Sequence, residues 1–169
     1  IRGLSIKVKL PVEVAAAVLR YFMGLRMTAV TNPFGGRLEL DLLGLPITVL
    51  WVIVITNAIN LIDGLDGLAA GTGILISLTL FLMPGQRGLE MGIVPFVVAA
   101  GLLGFLRYNF PPATIFMGDS GSLFLGFFLA ASSILFSSKA TAMATMMVPV
   151  VAFAHPMMDM GYAVLRRLY

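Results

Sequence analysis

The sequence contains no cysteine, which excludes disulfides, thiolate nucleophiles and cysteine-based metal sites together. It contains one histidine, His155, which excludes a histidine-rich metal centre within the chain. Charge is also scarce. Asp, Glu, Lys and Arg make up 11% of the residues, where a soluble domain carries about a quarter. A chain so poor in polar surface does not stay dispersed in water. The formal net charge of +3 is modest, and no nucleic-acid partner is expected. Ile1 is not a methionine, and no basic segment with a small-residue cleavage site precedes the first apolar run. The chain is therefore expected to be an internal piece of a longer protein.

Apolar residues are what the chain has in excess, at 59% with a mean hydropathy of +1.00. They fall into six runs: Leu10–Met27, Pro46–Asn60, Leu68–Met83, Met91–Leu106, Ser122–Phe136 and Ala140–Met157. A membrane-spanning helix needs roughly 17–25 such residues, so several runs sit near the short limit. Helices are the economical reading, because backbone groups in lipid must find their partners within the segment. The expected fold is all-α: a polytopic transmembrane bundle of about six spans, with residues 1–169 forming one membrane-embedded unit. The first run carries Arg20 near its middle, flanked by Glu13 and Arg26. It is either a span whose arginine snorkels or packs inside a larger bundle, or a partly interfacial amphipathic helix.

Six spans place alternate breaks on opposite sides. One side receives Arg2, Lys7, Lys9, the break at Asp63–Gly67, the break at Arg107–Gly121, and the tail with Arg166 and Arg167. The other receives Arg37, Glu39, Asp41, the Gln86–Glu90 break and Lys139. Basic residues favour the first side, which the positive-inside rule makes cytoplasmic. Asp63, Asp66, Asp119 and Asp159 share that side with Asn57, Asn60 and Asn109. Carboxylates beside membrane spans are costly and mark functional sites, so a polar reaction centre is expected at the cytoplasmic face of the membrane.

Three segments carry that chemistry. In NAINLIDGLDGLAAG, Asn57, Asn60, Asp63 and Asp66 recur every third residue. Consecutive members of such a series lie on adjacent helical stripes and can share a ligand. The series spirals, however, so Asn57 and Asp66 face nearly opposite directions in a regular helix. Carboxylate and amide oxygens are hard ligands suited to Mg²⁺, which binds few protein groups and completes its shell with water and phosphates. In FPPATIFMGDSGSLFLGF, Asp119 opens an apolar run. It is either a helix cap or a metal ligand beside an anion-binding helix N-terminus. In the third segment, His155 through Asp159 to Arg166 and Arg167, the histidine reads as structural. The arginine pair reads equally as a positive-inside stop.

The first two motifs resemble those of the polyprenyl-phosphate N-acetylhexosamine-1-phosphate transferases, integral membrane enzymes of glycosyltransferase family 4. The resemblance extends to RGLSIKVKL, to TNPFGG with LPITVLW, and to PMMDMGYAVLRRL. NLIDGLDG resembles the bacterial UDP-GlcNAc:undecaprenyl-phosphate branch more than the phospho-MurNAc-pentapeptide branch, which usually has Thr before the first Asp. The resemblance implies transfer of a sugar 1-phosphate from a UDP-N-acetylhexosamine to a polyprenyl phosphate, with release of UMP. It implies Mg²⁺, with Mn²⁺ as a substitute. It makes Asp119 the metal-binding aspartate, with Asn60 also at the metal and in the substrate-binding set, and Asp63 and Asp66 the acidic pair of the nucleotide-sugar pocket. Asn57 joins the substrate-binding set, and Arg166 and Arg167 lead into the substrate-recognition loop. The catalytic group is then Asp63, Asp66 and Asp119.

The family also carries an Asp-Asp pair before the segment matching Arg2–Ser5, and a His-rich loop after the basic pair. Neither lies within this sequence, so residues 1–169 alone are expected to turn over little or nothing. The expected partners are the UDP-sugar, the polyprenyl phosphate and the bilayer, with a homodimer as the conceivable assembly. The product would feed a surface polymer such as teichoic acid or lipopolysaccharide in cell wall biogenesis. Two other classes accommodate acids in a helical bundle. An ion-coupled transporter would place them near the midplane in paired repeats, which this sequence lacks. A non-catalytic membrane fragment differs only in what surrounds the chain.

Overall fold

The computed structural model describes residues 6–31, 37–82 and 89–136. The sixth expected run, with His155, Asp159, Arg166 and Arg167, lies outside the described residues.

The described residues form five α-helices: α1 (Ile6–Phe22), α2 (Gly44–Ile62), α3 (Leu68–Leu82), α4 (Leu89–Asn109) and α5 (Gly118–Phe136). The all-α expectation holds, with boundaries at most five residues from those read off the apolar runs. The largest shift is at α1, which ends at Phe22, with Gly24 at a φ of +99° just beyond. The expected run to Met27 had joined a helix to its own exit loop. α5 starts four residues early because Gly118, Asp119 and Ser120 form its polar first turn.

The break between the first two runs is not a plain loop. Strands β1 (Ala29–Thr31) and β2 (Arg37–Glu39) pair antiparallel, with Val30 opposite Leu38. The β-branched Val30 and Thr31, with Asn, Pro and Gly between the strands in sequence, are hairpin signals that the run-by-run reading passed over. One turn of 3₁₀-helix, Asp41–Leu43, leads into α2.

Three of the helical segments are long and apolar enough to cross a membrane: Asp41–Ile62, Gly92–Asn109 and Gly118–Phe136. α3 is apolar but has only 15 residues, or about 22 Å at 1.5 Å per residue. α1 is not among the three, because it has only 17 residues and is interrupted by Lys7, Lys9, Glu13 and Arg20. Leu50, Leu75, Ile93, Val97, Leu103 and Phe124 are exposed. On helices of this composition such side chains face lipid rather than water.

The centre of the bundle is the α2–α5 pair. Trp51 donates its indole N–H to Ser133 Oγ at 3.0 Å. Gly126 lies against Thr56, and Asn60 reaches Ser122. The partner numbers rise on one helix as they fall on the other, so the two run antiparallel. Gly126 permits the approach: a Cβ there would stand 2.7 Å from Thr56 Cα. Small residues at such crossings let membrane helices pack backbone to backbone. α1 lies antiparallel to α2, with Glu13 beside Asn57 and, in the loop after α1, the Met27 N–H on Thr48 Oγ1. α3 and α4 pack against each other, and α3 also touches α5.

Candidate active site

This packing gathers one end of the bundle: the first half of α1, the end of α2, the α2–α3 turn, the end of α4 and the start of α5. Asp63, Asp66, Asn109 and Asp119, which the alternation of breaks put on one side, do lie together there.

Asp119 is the second residue of α5 and its carboxylate has two partners. Oδ2 forms an ion pair with Lys9 Nζ at 2.7 Å, and Oδ1 accepts from Asn60 Nδ2 at 3.2 Å. Asn60 also donates to Ser122 Oγ at 2.7 Å, while Ser122 gives its own proton to the Gly118 carbonyl at 3.0 Å. That choice fixes the amide. Ser122 has one proton, already directed at Gly118, so it can only accept from Asn60, whose nitrogen therefore faces both Ser122 and Asp119. Asn60 thus meets the expected metal-binding aspartate with its nitrogen rather than its oxygen.

Asp63 stands one residue beyond α2, at the negative end of that helix dipole. Partial burial raises its carboxyl above the usual carboxylate range. A hydrogen bond with the Gly118 backbone opposes that rise, and the nearby negative charge of Asp119 adds to it. Asp63 and Asp119 are therefore close enough to feel one another, and the α5 N-terminus links them.

Asp66 and Asn57 take different places. Asp66 is exposed, and its Oδ2 accepts from the Ala113 amide at 2.9 Å, tying the α2–α3 turn to the α4–α5 loop. Asn57 turns toward α1, donating to Glu13 Oε2 at 2.6 Å and to the Ile53 carbonyl at 2.9 Å. The spiral of the three-residue repeat is what separates it from Asp63 and Asp66. Asn109, 2% exposed, is the inner clasp between the two loops. It accepts from the Gly67 amide at 3.0 Å and donates to the Ile115 carbonyl at 2.9 Å. Gly67 adopts a φ of +74°, which suits glycine at that turn.

Lys9, Glu13 and Ser122 were not assigned to the site from sequence. Lys9 entered only the tally of basic residues. The available signal was a Lys and a Glu four residues apart on a helix that also carries Lys7 and Arg20, since charges within membrane segments are rarely idle.

The donor set suits a divalent cation of the magnesium type. Among the described residues, no three His, Cys, Asp or Glu side chains cluster as a protein cage. Mg²⁺ does not need one, because it binds one or two carboxylates and takes its other oxygens from water and phosphates. The Asp119 charge that opposes ionisation of Asp63 is offset by such a cation.

The geometry defines a class: a membrane helical bundle whose carboxylates, amides and one lysine converge at a single end. Residues 1–137 match the family model described as Glycosyl transferase family 4, and the chain belongs to that family. It is similar to the probable undecaprenyl-phosphate N-acetylglucosaminyl 1-phosphate transferase of Bacillus subtilis (strain 168). The two are 42% identical over 168 residues, covering 98% of this chain and 47% of the relative. It is also similar to a phospho-N-acetylmuramoyl-pentapeptide-transferase of Streptococcus suis, 35% identical over 164 residues, covering 95% of this chain and 49% of the relative. The enzyme of that name from Synechococcus elongatus is 42% identical over 143 residues, covering 79% of this chain and 38% of the relative. The chain spans about half the length, or less, of these curated relatives.

Proposed function

We propose that this chain forms the membrane-embedded core of an enzyme that transfers N-acetylhexosamine 1-phosphate from a UDP-sugar to a polyprenyl phosphate at the cytoplasmic membrane face, releasing UMP. The observation that carries the reading is the meeting of Lys9, Asn60 and Asp119 from three helices, with Asp63 beside them, at one end of an apolar bundle. Phosphoryl transfer asks a protein for alignment and charge neutralisation more than for covalent chemistry. This site supplies both to a diphosphate substrate.

The chain's own residues divide the work. Asp119 and Asp63 would hold a divalent cation, with Asn60, pinned by Ser122, orienting the Asp119 carboxylate. Bound there, Mg²⁺ would supply positive charge to offset that of the diphosphate. Lys9 provides a cationic neighbour for an incoming phosphate. Asp66 and Asn109 fix the two loops that frame the nucleotide-sugar pocket. A cavity of about 280 Å³ between α1, α2 and α5, lined chiefly by Val8, Val12, Leu123, Phe124 and Phe127, suits the first isoprene units of the acceptor.

UDP-GlcNAc is the proposed donor, on the Ile62–Asp63 pairing and the likeness to the Bacillus subtilis relative. The test uses the full-length enzyme in detergent or nanodiscs, with undecaprenyl phosphate as acceptor. Wild type should release UMP from UDP-GlcNAc only when Mg²⁺ or Mn²⁺ is present. Asp119→Ala should lower that rate by about a hundredfold or more while membrane insertion is unchanged. Undiminished turnover in Asp119→Ala would overturn the mechanism. Preference for UDP-MurNAc-pentapeptide would overturn the donor.

A further inference from the structure

Each oxygen of Asp119 has one partner: Oδ1 accepts from Asn60 and Oδ2 pairs with Lys9. Lone pairs remain on both oxygens, but a divalent cation approaching this carboxylate meets the Lys9 ammonium, and the two partners are not equally held. Asn60 is anchored at the end of α2 by its short bond to the buried Ser122. Lys9 is a point charge on a flexible four-carbon stem, and its ammonium repels any cation that approaches Asp119. Lys9 is the partner that yields.

A displaced ammonium on a side chain only 15% exposed, in a mostly apolar setting, needs another anion. One stands a single turn away. Glu13 follows Lys9 by four residues on α1, so the two share a helix face, and both line the same cavity. Glu13 is 7% exposed, and only its Oε2 has a partner, Asn57. Its Oε1 is buried with no hydrogen bond. A buried carboxylate oxygen left unpaired is costly, and the nearest cation on its own helix face is Lys9.

We propose that Lys9 is a positioning residue with two berths: it neutralises Asp119 until a divalent cation binds, then turns along α1 to Glu13 Oε1. This rests on the metal reading of Asp119 given above. The exchange keeps the net charge around Asp119 from swinging by the full charge of the ion. It also moves the ammonium toward the cavity proposed for the acceptor, so cation binding and the readiness of the acceptor side are linked.

The test reads metal affinity directly, by Mn²⁺ binding to the detergent-solubilised protein followed by electron paramagnetic resonance, without turnover. Lys9→Met removes the competitor and should tighten Mn²⁺ about fivefold, the ratio equivalent to the upper end of a partly exposed ion pair. Glu13→Gln keeps an oxygen for Asn57 but removes the second anion, and should weaken Mn²⁺ by a similar factor. In the double variant Lys9→Met/Glu13→Gln, the Glu13 effect should vanish, because no ammonium remains to be housed. Each variant is read only after it elutes as a single species with the helicity of wild type. If Lys9→Met binds Mn²⁺ no tighter than wild type, or if the two effects simply add, the exchange is refuted. Asp119→Asn separates the two levels. If Mn²⁺ binding survives that change, the metal reading fails; if it is lost while Lys9→Met shows no gain, only the exchange fails.

Discussion

Gly126→Ala adds one methyl group at the point where α5 crosses α2. That Cβ would lie 2.7 Å from Thr56 Cα, 2.9 Å from Thr56 O and 3.2 Å from Ile59 Cβ, where ordinary contact begins at 3.4 Å. Two of the three neighbours are backbone atoms of a helix, which cannot rotate aside as a side chain can. The helices must therefore separate by about 0.7 Å, and overpacking of this kind costs about 1–3 kcal/mol. The separation falls on the pair that carries Asn60 and Asp119, so the 3.2 Å hydrogen bond between them should open as well. The chain contains its own reporter, because Trp51 is the only tryptophan and its N–H bonds to Ser133 across the same interface. Thermal unfolding in detergent, followed by tryptophan emission, should show a lower midpoint and a shifted native spectrum. Gly101→Ala is the control, since a Cβ there meets nothing within 4 Å and should be neutral or mildly stabilising. If Gly126→Ala melts with the control and leaves the Trp51 spectrum unchanged, the close crossing of α2 and α5 is wrong.

Asn109 and Asp66 both join the same two loops, but only Asn109 is buried. Asn109→Ala leaves the Gly67 amide and the Ile115 carbonyl without their partners and should cost about 1–3 kcal/mol. Asp66→Ala loses one exposed contact and should cost less than about 1 kcal/mol, so chemical denaturation should rank the two far apart. Asp63 gives a dependence on pH. Its folded carboxyl lies above 3.8, so between 3.8 and the folded value the native state keeps a proton that the unfolded chain has released. Stability conferred by that proton is lost as pH rises through the window and stays lost above it. In metal-free buffer Asp63→Asn should therefore melt higher than wild type at neutral pH, with the gap closing as pH falls toward 3.8. A variant that melts lower at neutral pH would refute the assigned shift.

The sequence made the architecture readable because lipid narrows the choices. An apolar run flanked by Gly, Pro and Asp has to be helical, and alternating breaks have to alternate sides, so Asp63, Asp66, Asn109 and Asp119 could be placed at one end without knowing how any helix was rotated. Rotation decides the rest. Whether Asn57 looks toward Asp63 or toward α1 depends on which face of α2 meets which neighbour, and the three-residue repeat leaves that open. Lys9 meets Asp119 only because α1 folds back along α2 while α5 packs on it, a tertiary fact with no local signature. The ribbon at Ala29–Glu39 was missed for a simpler reason: strands of three residues are too short to show a period. For Arg166 and Arg167, the described residues add nothing to what the sequence says.

The order in which the site's parts are made follows from where they sit. Glu13 finds Asn57 across 44 residues of chain, so that polar pair can close as soon as α2 has entered the bilayer. Asn60 waits for Asp119 and Ser122, roughly sixty residues further on, and Lys9 waits longer still. Until α5 is inserted, Lys9 has no Asp119, and Glu13 Oε1 is the nearest anion on its own helix face. Of the described helices α5 is the one that supplies Asp119 and Ser122, so the site is complete only once α5 has joined α1 and α2.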